Sequence, residues 1–212
     1  MDQINTEHMV DVFAGLAAFF ADKRDFLIAL DGKVGDSDLG LTMSKAFAAA
    51  HEAVVAEPDP AIATYLKDAG MAMAKAAPST MGTLMATGFL RASKALDGVD
   101  AIRTVEMAAF WRAYSDGVAQ RGKAKVGDKT VLDVLEPIAS SLEASAEKKR
   151  TLPEAMEKAV EAASDALENT KTMVAQHGKA AAFQEKSKGL QDAGATVGLF
   201  IIQSMTATVR AG

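Results

Sequence analysis

Three aspartates, Asp31, Asp36 and Asp38, fall within eight residues and are interleaved with Gly32, Gly35 and Gly40. Carboxylates brought that close repel one another unless a cation or protons neutralise them. They are hard oxygen donors of the kind that hold Mg²⁺ or Ca²⁺, and Mg²⁺ commonly joins a few carboxylates to substrate phosphates. The glycines let the backbone bend sharply and approach a ligand. Aspartates are also frequent at turns and helix N-caps, so the spacing alone leaves a metal loop and a plain turn both open.

Three further segments have the residue types of binding loops at helix starts. Ser79-Thr80-Met81-Gly82-Thr83 offers hydroxyls and unpaired amides beside the positive end of a helix, a natural anion site. Gly127-Asp128-Lys129-Thr130 offers the same with a cation. Asp192-Ala193-Gly194-Ala195 is small enough to lie against a ligand. Taken singly, each also reads as a helix cap.

Other motifs fail. Gly117 to Ala124 has the two glycines and the lysine of a P-loop, but it lacks the final Ser/Thr and follows a helix rather than a strand. Asp36-Ser37-Asp38 starts like a calcium EF-hand, but Gly40 and Phe47 occupy positions where that loop needs acidic ligands. His8, His51 and His177 lie far apart, form no metal-ligand spacing and read as surface residues.

The elements that must position these loops are helical. Met9, Val10, Phe13, Leu16, Ala17 and Phe20 recur at helical spacing. A short segment with Phe26, Leu27 and Leu30 follows. Helices are then expected from Leu39 to about Glu57, from Pro60 to before Pro78, from Ser79 to Gly98, and on to about Gln120. Asp59 and Pro60 suit an N-cap and a first helical position. Thr130 caps the next helix, which Pro137 kinks or splits. Thr151 and Glu154 match a capping box, opening a helix that reaches about His177. Gly178 to Gln191 is looser, and Thr196 to Val209 forms a last apolar helix. The pattern is about eight helices, no convincing strand, no internal repeat and no linker, so residues 1–212 read as one all-α domain.

Composition agrees. Of 212 residues, 49% are hydrophobic, only 6% aromatic, 11 are Met and five are Pro, a balance that favours helix. Disorder is excluded by the hydrophobic content. With no cysteine, disulfides, thiolate metal sites and a cysteine nucleophile are excluded. A net charge of -5 argues against nucleic acid as a partner. The acidic N-terminus lacks the basic residues of a signal peptide, and charges interrupt every apolar stretch before membrane-spanning length. A cytoplasmic protein, off the membrane, is expected.

Taken in order, these loops resemble one family. Leu30 to Gly40, Ser79 to Leu84, Gly127-Asp128-Lys129-Thr130-Val131-Leu132-Asp133, and Asp192-Ala193-Gly194-Ala195-Thr196 resemble the motifs of the nucleotide-binding L subunit of dihydroxyacetone kinases, in matching order and separation over nearly the whole chain. The resemblance implies an eight-helix antiparallel barrel with a nucleotide, ATP or tightly bound ADP, held at one end through two Mg²⁺ ions. Asp31, Asp36 and Asp38 would be the metal ligands. Leu39, Gly40, Leu41, Thr42, Thr80, Met81, Gly122, Val131, Lys179 and Asp192-Ala193-Gly194 would surround the nucleotide. The hydroxyls and amides of Ser79 to Gly82 would meet its phosphates.

Four departures from the family pattern stand out. Ser37 and Leu39 replace a glycine and a histidine of the acidic loop, so the side-chain contact to phosphate that the resemblance implies at position 39 is expected to be lost or made elsewhere. Met81-Gly82-Thr83-Leu84 stands where many members carry Ser-Gly-Pro-Leu. Lys179 stands for an arginine, which forfeits bidentate geometry. Ala193 stands for a proline.

The implied reaction is phosphoryl transfer to the hydroxyl of dihydroxyacetone or a related small ketose, held by a separate K subunit that docks over the nucleotide end. The donor is either exchanging ATP or bound ADP recharged by a phosphotransferase-system phosphocarrier. The alternative is a nucleotide-binding regulatory module that contacts a transcription regulator, with weak or no kinase activity.

Overall fold

The computed structural model describes residues 1–56 and 61–212; the reading of Asp59 and Pro60 as a helix start lies outside them. Nine α-helices carry most of the described residues: α1 (Met9–Asp22), α2 (Arg24–Asp31), α3 (Leu39–Ala56), α4 (Ile62–Ala76), α5 (Thr80–Ala95), α6 (Thr104–Gly122), α7 (Leu132–Glu147), α8 (Leu152–Asn169) and α9 (Ala193–Ala211). α1 packs on α3, each helix from α3 onward packs on the next, and α9 returns to α1. The ring thus closes with eight helices, as expected of the barrel, and α2 is a short insertion beside α3.

Sequential neighbours joined by short connections run antiparallel. The first turns of α3, α5, α7 and α9 therefore share one end of the barrel with the last turns of α1, α4, α6 and α8. That arrangement gathers four loops far apart in sequence.

The interior is built by aromatic residues from separate helices. Phe20 and Phe47 stack with ring centres 4.2 Å apart, Phe13 lies 5.6 Å from Phe89, and Tyr114 meets Phe89 edge-on at 5.3 Å. Offset and edge-on contacts suit the ring quadrupole and bind α1, α3, α5 and α6 into one core. Small residues let the helices approach: a Cβ on Gly88 would sit 2.4 Å from the Tyr114 ring. α9 buries Val197 through Ile202 without interruption, the pattern of a helix enclosed on nearly all sides.

Three local expectations change. α7 runs unbroken through Pro137; the proline falls in its second turn, where one missing N–H removes a single bond without splitting the helix. The helix expected to reach His177 ends at Asn169 and passes into a 3-10 turn, Thr170–Thr172. There the buried Thr170 hydroxyl donates to the Leu167 carbonyl and accepts from the Asp192 amide, a tertiary tie that helical propensity does not encode. A minimal antiparallel pair also forms, β1 (Ile4–Asn5) with β2 (Ala101–Ile102); elements this short carry no readable alternation. Among the described residues, no helix is long and apolar enough to cross a membrane.

Candidate functional site

The acidic loop leaves α2 at Asp31 and enters α3 at Leu39. Carboxylate oxygens of Asp31, Asp36 and Asp38 lie within 4.8 Å of one another. Asp31, half-buried, anchors the group: its Oδ2 accepts from the amides of Asp38 (3.1 Å) and Leu39 (3.5 Å). Gly35 is required by proximity, since a Cβ there would lie 2.1 Å from Asp31 Oδ1. Ser37 turns the loop with a φ of 62°, a left-handed conformation that costs a residue bearing a Cβ. Asp36 and Asp38 are exposed, and three hard oxygen donors this close fit a divalent cation.

The first turn of α3 sits tightly on α2. A Cβ on Gly40 would collide with the Arg24 carbonyl at 2.1 Å. Leu39 is buried in the core, Thr42 is half-buried and Leu41 is 53% exposed. The leucine at position 39 thus faces the barrel interior, and this turn offers a ligand its backbone together with Thr42.

Ser79 caps α5, accepting from the Gly82 amide at 3.0 Å. Thr80 is exposed beside it and Gly82 is buried, with the Ala77 carbonyl 2.0 Å from any added Cβ. Gly122, at the end of α6, faces the Leu84 side chain of that same first turn.

The α7 loop is organised by a residue whose role the motif reading did not single out. Asp133 accepts from the amides of Gly127 and Thr130, both at 2.6 Å. Thr130 in turn accepts from the Leu132 amide at 3.2 Å. Asp128 takes the Lys125 amide at 2.9 Å and meets His177 Nε2 at 2.9 Å. The Lys125 amide, aided by His177, holds the Asp128 carboxyl below the usual carboxylate range.

Asp192 caps α9 through the Ala195 amide at 2.7 Å. Burial pushes its carboxyl up to about 6, against the stabilising Ala195 amide and the charge of Lys129. A Cβ on Gly194 would lie 3.6 Å from the Val131 amide and 3.7 Å from the Met81 sulfur. The starts of α5, α7 and α9 therefore converge, with Ala193 half-buried between them and the core.

Lys179 lies on the segment between α8 and α9, and its ammonium pairs with the Asp36 carboxylate. That segment thus reaches across to the acidic loop. Among the described residues, no hydrogen bond or ion pair links the aspartates to Ser79–Gly82, although both groups lie at the same barrel end. A surface groove of about 470 Å³ lined by Val160, Gln203, Thr206 and Arg210 lies elsewhere, along α8 and α9 toward the opposite end. The acidic loop, not that groove, gathers the titratable groups.

Comparison with known proteins gives a consistent picture. The DAK2 domain matches residues 33–207. The PEP-dependent dihydroxyacetone kinase, ADP-binding subunit DhaL, of Escherichia coli K12 is 37% identical over 88% of this chain and 89% of its own. The L-erythrulose kinase of Pectobacterium atrosepticum is 31% identical over 92% of this chain but only 34% of its own length. In fold, the chain is similar to the dihydroxyacetone kinase from C. freundii in complex with AMP-PNP and Mg²⁺, with a TM-score of 0.72 at 23% identity, covering 94% of this chain and 33% of that one.

Proposed function

The chain belongs to the DAK2 domain family, and from that premise we propose that it is the nucleotide-binding subunit of a dihydroxyacetone-type kinase. The observation that carries this reading is the clustering of the Asp31, Asp36 and Asp38 carboxylates within 4.8 Å, at the barrel end where α3, α5, α7 and α9 begin. The names of the relatives, kinases and kinase subunits, favour this reading over a purely regulatory module. In it, residues 1–212 act as one nucleotide-binding domain.

Asp31, Asp36 and Asp38 would hold Mg²⁺, two ions in the full site, with ADP or ATP. Bound there, magnesium neutralises phosphate charge and so lowers the barrier to in-line transfer. The Asp38 and Leu39 amides fix the Asp31 carboxylate, so that donor is oriented before any ligand arrives. The first turn of α5 presents Ser79, Thr80, Met81 and Gly82 to the phosphates with the positive helix end behind them. Leu39 to Thr42, Gly122, Val131, Asp192, Ala193 and Gly194 form the walls, and Lys179 supplies a positive charge beside the acidic loop. No side chain of this end serves as a nucleophile; the chain positions the phosphates and shields their charge.

The acceptor is the hydroxyl of dihydroxyacetone or a related small ketose, held by a separate K subunit that docks over this end. The donor is ATP, or bound ADP recharged by a phosphotransferase-system phosphocarrier. Steady ATP consumption with the K subunit and no phosphocarrier eliminates the second donor.

Calorimetric titration of the nucleotide-stripped chain with ADP, with and without Mg²⁺, tests the site. Magnesium-dependent binding is expected. Asp36→Ala and Asp38→Ala should each abolish it while the helical circular dichroism is unchanged. Undiminished affinity in both variants defeats the metal assignment.

A further inference from the structure

The segment from Met173 to Leu190 leaves the end of α8, carries Lys179 to the acidic loop and returns to α9. Its interior has little regular support. It contains a 3-10 stretch, Lys179–Ser187, broken at Gln184 with a φ of 48°, and most of its residues are exposed. Its two ends, however, are joined at one atom. Lys129 Nζ donates to the carbonyls of Met173 (3.2 Å), Ser187 (2.5 Å) and Leu190 (2.8 Å). An ammonium has three protons, and each has a partner here.

Lys129 is only 2% exposed and takes a φ of 59°, so the chain accepts both a buried charge and a left-handed backbone to place it. The surroundings reinforce the same closure. The Asp128 carbonyl accepts from the Gln176 amide at 3.0 Å, and Ser187 Oγ accepts from the Ala175 amide at 3.0 Å. The Gly189 amide donates to the Lys171 carbonyl at 2.7 Å. The result is a strap whose base is pinned to the α7 loop and whose crest bears Lys179.

We infer that Lys129 is a positioning residue: it ties both ends of the 173–190 strap to the α7 loop and thereby sets Lys179 over Asp36. Its ammonium does not reach the aspartates; it acts through the strap. That this matters to nucleotide binding rests on the proposed function above, whereas the clamp itself does not.

Removing the ammonium takes the donor from the Met173 and Leu190 carbonyls and leaves the Ser187 carbonyl only the long bond from the Leu190 amide at 3.4 Å. Lys129→Met keeps an unbranched apolar stem out to the ε position and removes the terminal ammonium; Lys129→Arg keeps a donor cation. In Lys129→Met, chymotryptic cleavage after Phe183 and magnesium–ADP affinity should each change by about tenfold or more, faster and weaker respectively, the usual scale for an outlying residue that orients a ligand set. Lys129→Arg should restore most of both. Cleavage unchanged in Lys129→Met overturns the clamp. A released strap with unchanged magnesium–ADP affinity overturns the positioning role. Should the wild type bind no magnesium–ADP at all, the functional reading fails, while the cleavage comparison still decides the clamp.

The wild-type chain offers a check that needs no stable variant. A lysine ammonium bonded to three carbonyls exchanges its protons slowly, so nitrogen-detected spectra of the intact protein should show one protected lysine NH₃⁺ signal. Its absence overturns the clamp.

Discussion

At the residue scale, the acidic loop is set by close contacts rather than by charge alone. Gly35→Ala places a Cβ 2.1 Å from Asp31 Oδ1 and 2.7 Å from the Asp31 carbonyl. The backbone contact cannot be relieved by a side-chain rotation, so Asp31 must shift. Magnesium-dependent nucleotide affinity, read by calorimetry, should fall by about tenfold or more, as when a metal's supporting residues are disturbed. Ser37→Gly acts in the other direction. It removes a left-handed cost of about 1–2 kcal/mol and adds chain entropy worth about 0.4–1 kcal/mol to the unfolded state. A net gain of about 0.5–1 kcal/mol is expected from the urea midpoint, at unchanged slope. The same loop shows how far residue types were informative. Asp31, Asp36 and Asp38 were legible as a possible cation site. The Leu39 side chain could be excluded from phosphate bonding by its chemistry, but its burial in the core could not be seen.

At the element scale, the helix starts do two jobs: they end loops and they present amides. Ser79→Ala removes the α5 cap and should lower stability by about 1 kcal/mol, measured by denaturant unfolding. Asp192 at the start of α9 carries a pH signature. Its folded carboxyl titrates at about 6 against an ordinary 3.8, so between those values the folded state binds more protons than the unfolded one. Its contribution therefore falls as pH rises through that window and stays low above it. Asp192→Asn keeps a capping oxygen and should flatten that part of the melting-temperature profile; an unchanged profile contradicts the assignment.

Glu136 and Glu143 have the opposite sign. Arg112 bonds both and holds them below the usual carboxylate range. Their contribution is present above about pH 4.5 and is lost as pH falls through the depressed folded values. Helix existence was readable from apolar spacing, because a core-facing stripe leaves that period in any sequence. The end of α8 was not, because Thr170 and Asp192, distant in sequence, decide it together.

At the scale of the whole molecule, the aromatic core holds the barrel that brings the loops together. Phe89 is 1% exposed and contacts Phe13, Phe47, Phe110 and Tyr114 from three other helices, α1, α3 and α6. Phe89→Ala should cost about 3–5 kcal/mol of stability while the folded fraction keeps its magnesium–nucleotide affinity, since the ring lies inside the barrel and not at its loop-bearing end. Guanidinium unfolding and calorimetry on the same preparation check both halves.

The amino-acid sequence by itself determined the helical class, the absence of thiol chemistry, the crowding of three aspartates into one short loop and the order of four loop motifs. These follow from composition and local spacing, which act over a few residues. Only the tertiary structure decided that Gly194 faces Met81 and Val131, that Lys179 crosses to Asp36, and that Lys129 joins the two ends of one strap. Each of those relations pairs residues far apart in the chain. Their proximity is a product of barrel closure, which no local pattern specifies.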